Sequence, residues 1–201
     1  MPSDPNCPNC GASLDRRIRS SKVVGCASCG STVFLHDLSF ATPGELGEMH
    51  ETPSLLSLEA PVKLAGRIVT PVGVVRYSYG PGWWDEFWCE ADKGGQWVSV
   101  DEGDIVIETP IAAPKTPAPA RRLKIGDVVM HQAQNYRAVE AETATCVAYR
   151  GELPEAPEIG EAHRYMNFQG PDGRALSLEI WGANEAWFAG RWVDPWSIEG
   201  G

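Results

Sequence analysis

Cys7-Pro8-Asn9-Cys10-Gly11 and Cys26-Ala27-Ser28-Cys29-Gly30 form a C-x2-C-x15-C-x2-C array. Two thiolates separated by two residues reach one ion from a single tight turn, and two such turns complete a tetrahedral four-sulfur shell. The glycine after each pair lets the chain turn beneath the metal, where backbone N–H groups can point at the sulfurs. The spacing predicts one structural zinc ion held by Cys7, Cys10, Cys26 and Cys29, with no open position for water or substrate. Two C-x-x-C pairs without a βαβ pattern argue against a thioredoxin-type redox pair.

The second group of chemistry-bearing residues is aromatic. Gly80 to Glu90 reads G-P-G-W-W-D-E-F-W-C-E, with Trp83, Trp84, Phe87 and Trp88 close together. On a strand, Trp84, Glu86 and Trp88 share one face while Trp83, Asp85, Phe87 and Cys89 share the other. Core packing is the preferred reading, because a thin β-domain needs bulky side chains between few strands. The competing reading is an open cage, with Trp83 and Trp84 as walls, Glu86 as the polar contact and Trp88 beside them. Such a site suits an amine, a cationic side chain or a partner peptide. Trp181, Trp187, Phe188, Trp192 and Trp196 pose the same choice and read as core anchors.

No catalytic residue is assigned. His36, His50, His131 and His163 are scattered and read as surface or loop residues. The chain has no G-x-S-x-G elbow, phosphate loop or dinucleotide fingerprint. Asp85-Glu86 and Asp101-Glu102 are adjacent acids that point to opposite strand faces, so they read as solvated charges and not as a catalytic pair. Cys89 and Cys146 lack an identifiable histidine partner.

Charge limits the partners further. Residues 1–38 carry four basic and three acidic side chains, residues 39–108 four and twelve, and residues 109–201 nine and twelve, for a net charge of −10. An acidic middle repels phosphate backbones, so nucleic acid could be met only through Arg16, Arg17, Arg19 and Lys22. A solvated hairpin tip is the preferred reading of that cluster.

These groups need short elements to hold them. Sixteen prolines and twenty-one glycines favour many turns and a mainly β chain. Asp15–Lys22 reads as a hairpin tip, with strands at Val23-Val24 and Thr32–Leu35, giving a zinc ribbon over residues 1–38. About forty residues bury too little apolar surface to fold without such a metal. Residues 39–56 read as a linker, 57–108 as a β module, 109–121 as a Pro/Ala-rich linker and 122–201 as a second β module. Phe87–Glu102 set against Tyr165–Ile180 without a gap places Gly95 on Gly173 and Ser99 on Ser177, which suggests an internal repeat. The expected fold is mainly β: a four-cysteine ribbon followed by two related small modules, barrel-like or sandwich-like.

The chain resembles a bacterial domain-of-unknown-function family, number 4178. The resemblance rests on the Cys-Pro-x-Cys-Gly ribbon, Gly66 through Val72-Gly73-Val74-Val75-Arg76-Tyr77, Trp84-Asp85-Glu86-Phe87 and Gly94-Gly95-Gln96-Trp97-Val98-Ser99. It continues in Ile125-Gly126-Asp127 and Gly151-Glu152-Leu153-Pro154, so that it spans nearly the whole chain. Pro71 departs from the pattern and puts the pairing of its strand in question. The resemblance implies an accessory protein of the bacterial cytoplasm and carries no reaction with it.

The expected function is a non-catalytic zinc-binding adaptor or accessory protein. It would be cytoplasmic, without a signal or transmembrane segment, and would recognise another protein at a membrane-associated assembly through its Trp-rich modules. The alternatives are a nucleic-acid-binding protein acting through the ribbon arginines, and an enzyme with an unfamiliar site between the two β modules.

Overall fold

The computed structural model describes residues 5–50, 52–92, 94–112 and 122–200. Most of the Pro/Ala-rich linker lies outside the described residues. The chain is mainly β, as expected, with short 3-10 turns at Pro43–Leu46, Pro171–Gly173 and Pro195–Ser197.

The ribbon carries a three-stranded antiparallel sheet, β1 (Val23–Gly25), β2 (Thr32–Phe34) and β3 (Ser39–Ala41). The third strand falls in the stretch read as linker. Thr42 and Glu45 then form a capping box around the following turn, and Leu46 is buried at the junction with the rest of the chain.

The second sheet is built from two antiparallel meanders. The first is β4 (Val62–Leu64), β5 (Arg67–Ser78), β6 (Trp83–Ala91), β7 (Gly94–Asp101) and β8 (Asp104–Pro110). The second is β9 (Val128–His131), β10 (Gln134–Gly151), β11 (Ala162–Gln169), β12 (Arg174–Trp181) and β13 (Asn184–Val193). β8 pairs with β13 and β5 pairs with β10, so eight strands close on one another in the order β5-β6-β7-β8-β13-β12-β11-β10. A short final strand, β14 (Glu199–Gly200), pairs with β4. Closure removes the sheet edges along those eight strands.

Strand alternation divides the side chains between the inside and outside of this closed sheet. Two apolar patches of the outer face are covered. Val74, Phe87, Cys89, Val98 and Ile105 pack under Leu56, Val62 and Leu64, and Met166, Phe168, Leu176, Leu178 and Trp187 pack with Val129 and Tyr136. The inner face is left polar and aromatic.

Pro71 pairs with Cys89 beside an irregularity between Pro71 and Gly73. A bulge is one of the few places where a strand tolerates a residue without an N–H. The same bulge brings Gly73 against the 150s loop, where an added Cβ would sit 1.9 Å from the Glu152 carbonyl oxygen.

The repeat alignment fits the two meanders unevenly. Phe87 pairs with Val98 across β6 and β7, and Phe168 pairs with Leu176 across β11 and β12. Val98 and Leu176 correspond as aligned, but the pairing matches Phe87 with Phe168 and not with Tyr165. The cross-strand partners are eleven residues apart in the first hairpin and eight in the second, and a gapless comparison ignores that difference of three.

Candidate functional site

Two knuckles bring the four cysteines together. In each, the glycine N–H donates to the first cysteine's carbonyl, Gly11 to Cys7 and Gly30 to Cys26, both at 2.8 Å. Each first cysteine donates in turn to a carbonyl beyond the pair, Cys7 to Ala12 and Cys26 to Ser31. Gly11 and Gly30 sit at φ +76° and +74°, a conformation that glycine adopts freely.

The four Sγ atoms lie within 4.8 Å of one another. The Cys7–Cys29 and Cys10–Cys26 separations are 3.8 and 3.7 Å. Four sulfurs about 2.3 Å from a central ion would be about 3.8 Å apart, so the donor set fits a tetrahedral metal. Hydrogen bonds from the Ser31 side chain and backbone hold the Cys29 thiol down at about 6, and Asn9 Nδ2 also approaches its sulfur at 3.7 Å. N–H and O–H donors around sulfur favour the thiolate a metal requires.

The ribbon is clamped to the barrel by the Gly-Glu-Leu-Pro stretch. Glu152, 5% exposed, accepts the backbone N–H groups of Arg17 at 2.9 Å and Ile18 at 2.7 Å. Leu153 exchanges backbone hydrogen bonds with Val23 and packs with Ile18, Val23, Trp88 and Tyr149. Trp88 Nε1 donates to Ser21 Oγ. Sequence reasoning missed this clamp; its signal was a glutamate in an otherwise apolar Gly-x-Leu-Pro turn.

The basic segment of residues 16–22 is a stretch of bends and turns and not the tip of a hairpin, since β1 and β2 turn through residues 26–31, and it is largely engaged with the protein itself. Arg17 pairs with Glu59, Lys22 pairs with Glu155, and Arg16 donates to the carbonyls of Arg19 and Ser21. Arg19 is exposed.

The four Trp-cage residues separate by face. Trp83 is 47% exposed and lies outside, with the Arg76 guanidinium 5.5 Å from its ring centroid. Trp84 and Trp88 are 7% and 5% exposed, and with Glu86 they point into the closed sheet. The open cage is thereby corrected: adjacent indoles on a strand alternate, so Trp83 and Trp84 cannot be two walls of one site. Gly95 makes room for the inward ring, since a Cβ there would lie 1.8 Å from Trp88. The C-terminal cluster is also mixed, with Trp187 buried and Trp196 exposed.

Two cavities occupy the interior. One, of about 290 Å³, is lined by Trp84, Asp101, Glu108, Glu140 and Ser177, among others. The other, of about 490 Å³, is lined by Tyr77, Trp97, Glu161, His163 and Trp181, among others. Glu86 and Glu179 belong to both walls, and all eight strands of the closed sheet contribute.

Asp85 and Glu86 thus divide as expected but are not solvated charges, whereas Glu102 is exposed in a turn. Asp85 faces outward into a bidentate ion pair with Arg76, at 2.7 and 2.8 Å. Its neighbour Glu86 faces inward and accepts from Trp84 Nε1 at 2.9 Å. Glu108 accepts from Ser177 Oγ at 2.6 Å, and Glu140 is held by Tyr165 and Asn167.

Burial pushes the Glu108 carboxyl up to about 7, against the Ser177 hydrogen bond and with help from Glu86. Burial also raises Glu86, opposed by the Trp84 N–H. Glu179 lies well above the carboxylate range through burial and the charges of Glu86 and Glu108. His131 and His163 are buried strand residues, which corrects their reading as surface groups. His163 is wedged edge-on between Tyr77 and Trp84.

A family model described as Domain of unknown function (DUF4178) matches residues 62–195. The chain belongs to that family. The DUF4178 match covers the closed sheet and stops short of the ribbon, narrower than the near-whole-chain resemblance. No curated protein and no solved structure matches the chain significantly. Among the described residues of this DUF4178 protein, no helix is long and apolar enough to cross a membrane.

Proposed function

We propose that this chain is a non-catalytic binding protein in which one structural zinc ion holds the ribbon and the closed β-sheet holds the ligand. The observation that carries the reading is the pair of neighbouring cavities that share Glu86 and Glu179 and are walled by side chains from all eight strands. Eight-stranded barrels have interiors just wide enough to hold side chains or one small ligand. Here part of the space is left open.

Four thiolates favour zinc among biological divalent ions, and a closed shell leaves it no vacant position for chemistry. The ribbon then acts as a lid on one side of the sheet, through Glu152 and Leu153. An adaptor role toward another protein would have to use outer residues such as Trp83, because Trp84 and Trp88 are spent on the interior.

The test is a thermal-shift and native mass spectrometry screen of small molecules against the zinc-loaded chain. We expect a 1:1 complex that is lost when Ser177→Trp fills the smaller cavity. A ligand whose affinity is unchanged by Ser177→Trp would overturn the reading.

A catalytic reading has one observation in its favour. Buried carboxyls held near neutrality between two halves of a sheet are the kind of group that acts as a general acid. Against it, burial pushes the Cys89 and Cys146 thiols up to about 12, which leaves neither as a thiolate nucleophile. Turnover of a bound compound, lost in Glu108→Gln with binding retained, would decide for catalysis.

A further inference from the structure

We infer that the interior of the closed sheet binds an organic ammonium ion with more than one positive charge along an apolar stem. This rests on the proposal that the cavities are the ligand site, and it names the ligand's chemistry.

Charge gives the first argument. Glu86, Glu108, Glu140 and Glu179 line the smaller cavity, Glu86, Glu161 and Glu179 line the larger, and no Lys or Arg lines either one among the described residues. A surface acid such as the exposed Glu161 is neutralised by solvent and salt, but Glu86, Glu108, Glu140 and Glu179 are partly buried. Enclosed carboxylates must take up protons or a counter-cation. Some have protein donors, as Glu86, Glu108 and Glu140 do. Glu179 accepts no hydrogen bond from any described residue.

His163 supplies an independent argument. It is 7% exposed, stands on the wall of the larger cavity, and its Nε2 has no hydrogen-bond partner. A buried polar nitrogen left unpaired is rare and calls for an explanation. Burial lowers its basicity, so the ring is neutral and can accept an N–H from a guest.

Geometry excludes the simplest cation. Among the described residues, the four ribbon cysteines form the only group of three or more potential ligands close enough to share a metal ion. No three interior carboxylates lie that close. The carboxylates stand at successive places, Glu108 on the wall of one cavity, Glu86 and Glu179 on both walls, and the exposed Glu161 on the wall of the other. A guest that satisfies more than one place must be extended and carry its charges at intervals.

The walls between these places fit the stem of such a guest. Trp84, Trp88, Trp97 and Trp181 line these walls, and indoles attract an ammonium and pack against methylenes. Cation–π attraction strengthens where water is excluded.

The experiment uses the zinc-loaded full chain and four probes in calorimetry: 1,8-diaminooctane, octylamine, 1,8-octanediol and octanedioate. We expect 1,8-diaminooctane to bind 1:1, at least tenfold more tightly than octylamine, with no heat from the diol or the dicarboxylate. Glu179→Gln should weaken the diamine at least tenfold, while Glu48→Gln, an exposed acid outside the sheet, should leave it unchanged.

Binding of the diol as tight as that of the diamine would overturn the ammonium inference and leave the interior site standing. No binding of 1,8-diaminooctane would also overturn it. Diamine affinity undiminished by Ser177→Trp would place the contact on the acidic surface and remove both. Tryptophan emission, sensitive to Trp84 beside Glu86, is a second readout that does not depend on any variant folding.

Discussion

The ribbon and the interior of the closed sheet are two solutions to one electrostatic problem, the crowding of acidic side chains. In the ribbon, four sulfurs come from two turns of five residues each, so local chain geometry brings them together. In the sheet, Glu86, Glu108 and Glu179 come from three strands and meet only after the eight strands close. The ribbon's sulfurs are small, soft and close enough to share one ion. The carboxylates are spread along a lumen, where burial favours their protonated forms until a counter-cation stands beside them. Proximity decides which cation a cluster can use.

Removing the ribbon's cation should have the largest effect. Metal binding supplies on the order of 10 kcal/mol or more to small zinc modules. Chelation, or Cys26→Ser with Cys29→Ser, should unfold the ribbon and expose Trp88, which donates to Ser21. Elemental analysis should give one equivalent of zinc before treatment, and fluorescence should shift to the red after it. Retained folding with no bound metal would break the comparison at its root.

Glu152→Ala separates the clamp from the metal. It leaves the buried N–H groups of Arg17 and Ile18 without an acceptor, at a cost of about 3 kcal/mol. Urea unfolding should show that loss with the zinc content unchanged.

The lumen responds to pH. Glu108 titrates near 7 in the fold and near 4.5 when free, and Glu86, Glu179 and Asp101 are raised in the same direction. The folded state therefore binds protons more tightly than the unfolded state. Its stability should fall as pH rises from about 4.5 to 7, with the penalty complete above that. Glu108→Gln should then raise stability at pH 8 by on the order of 2 kcal/mol and leave it unaltered at pH 4. Melting curves at the two pH values check the sign. Equal effects at both would mean that Glu108 is solvated.

Trp83→Ala should have the smallest effect, within about 1 kcal/mol, since it loses only an exposed ring and the Arg76 contact. A pull-down comparing this variant with the parent chain tests the outer surface as a protein-docking site. A partner lost from the variant would place recognition outside the sheet.

The zinc knuckles could be read from sequence because every ligand is fixed by its neighbours two or three residues away. The β class was legible for a similar reason, in the alternation of Trp83 to Cys89 and in the turn at Gly80-Pro81-Gly82. The role of Glu86 was not. Alternation places it opposite Asp85, but whether that face meets water or a closed interior depends on β13 and β10 joining β8 and β5. Glu152 was likewise unreadable, since its partners at Arg17 and Ile18 lie more than 130 residues away.

The sequence by itself determined a four-thiolate turn pair, an acidic chain and strands with aromatic residues on alternating faces, because these follow from spacings of two to four residues. Only the tertiary structure decided which face became the interior. Closing the sheet makes one face a lumen for every strand at once, and with it brings scattered glutamates onto the walls of two neighbouring cavities.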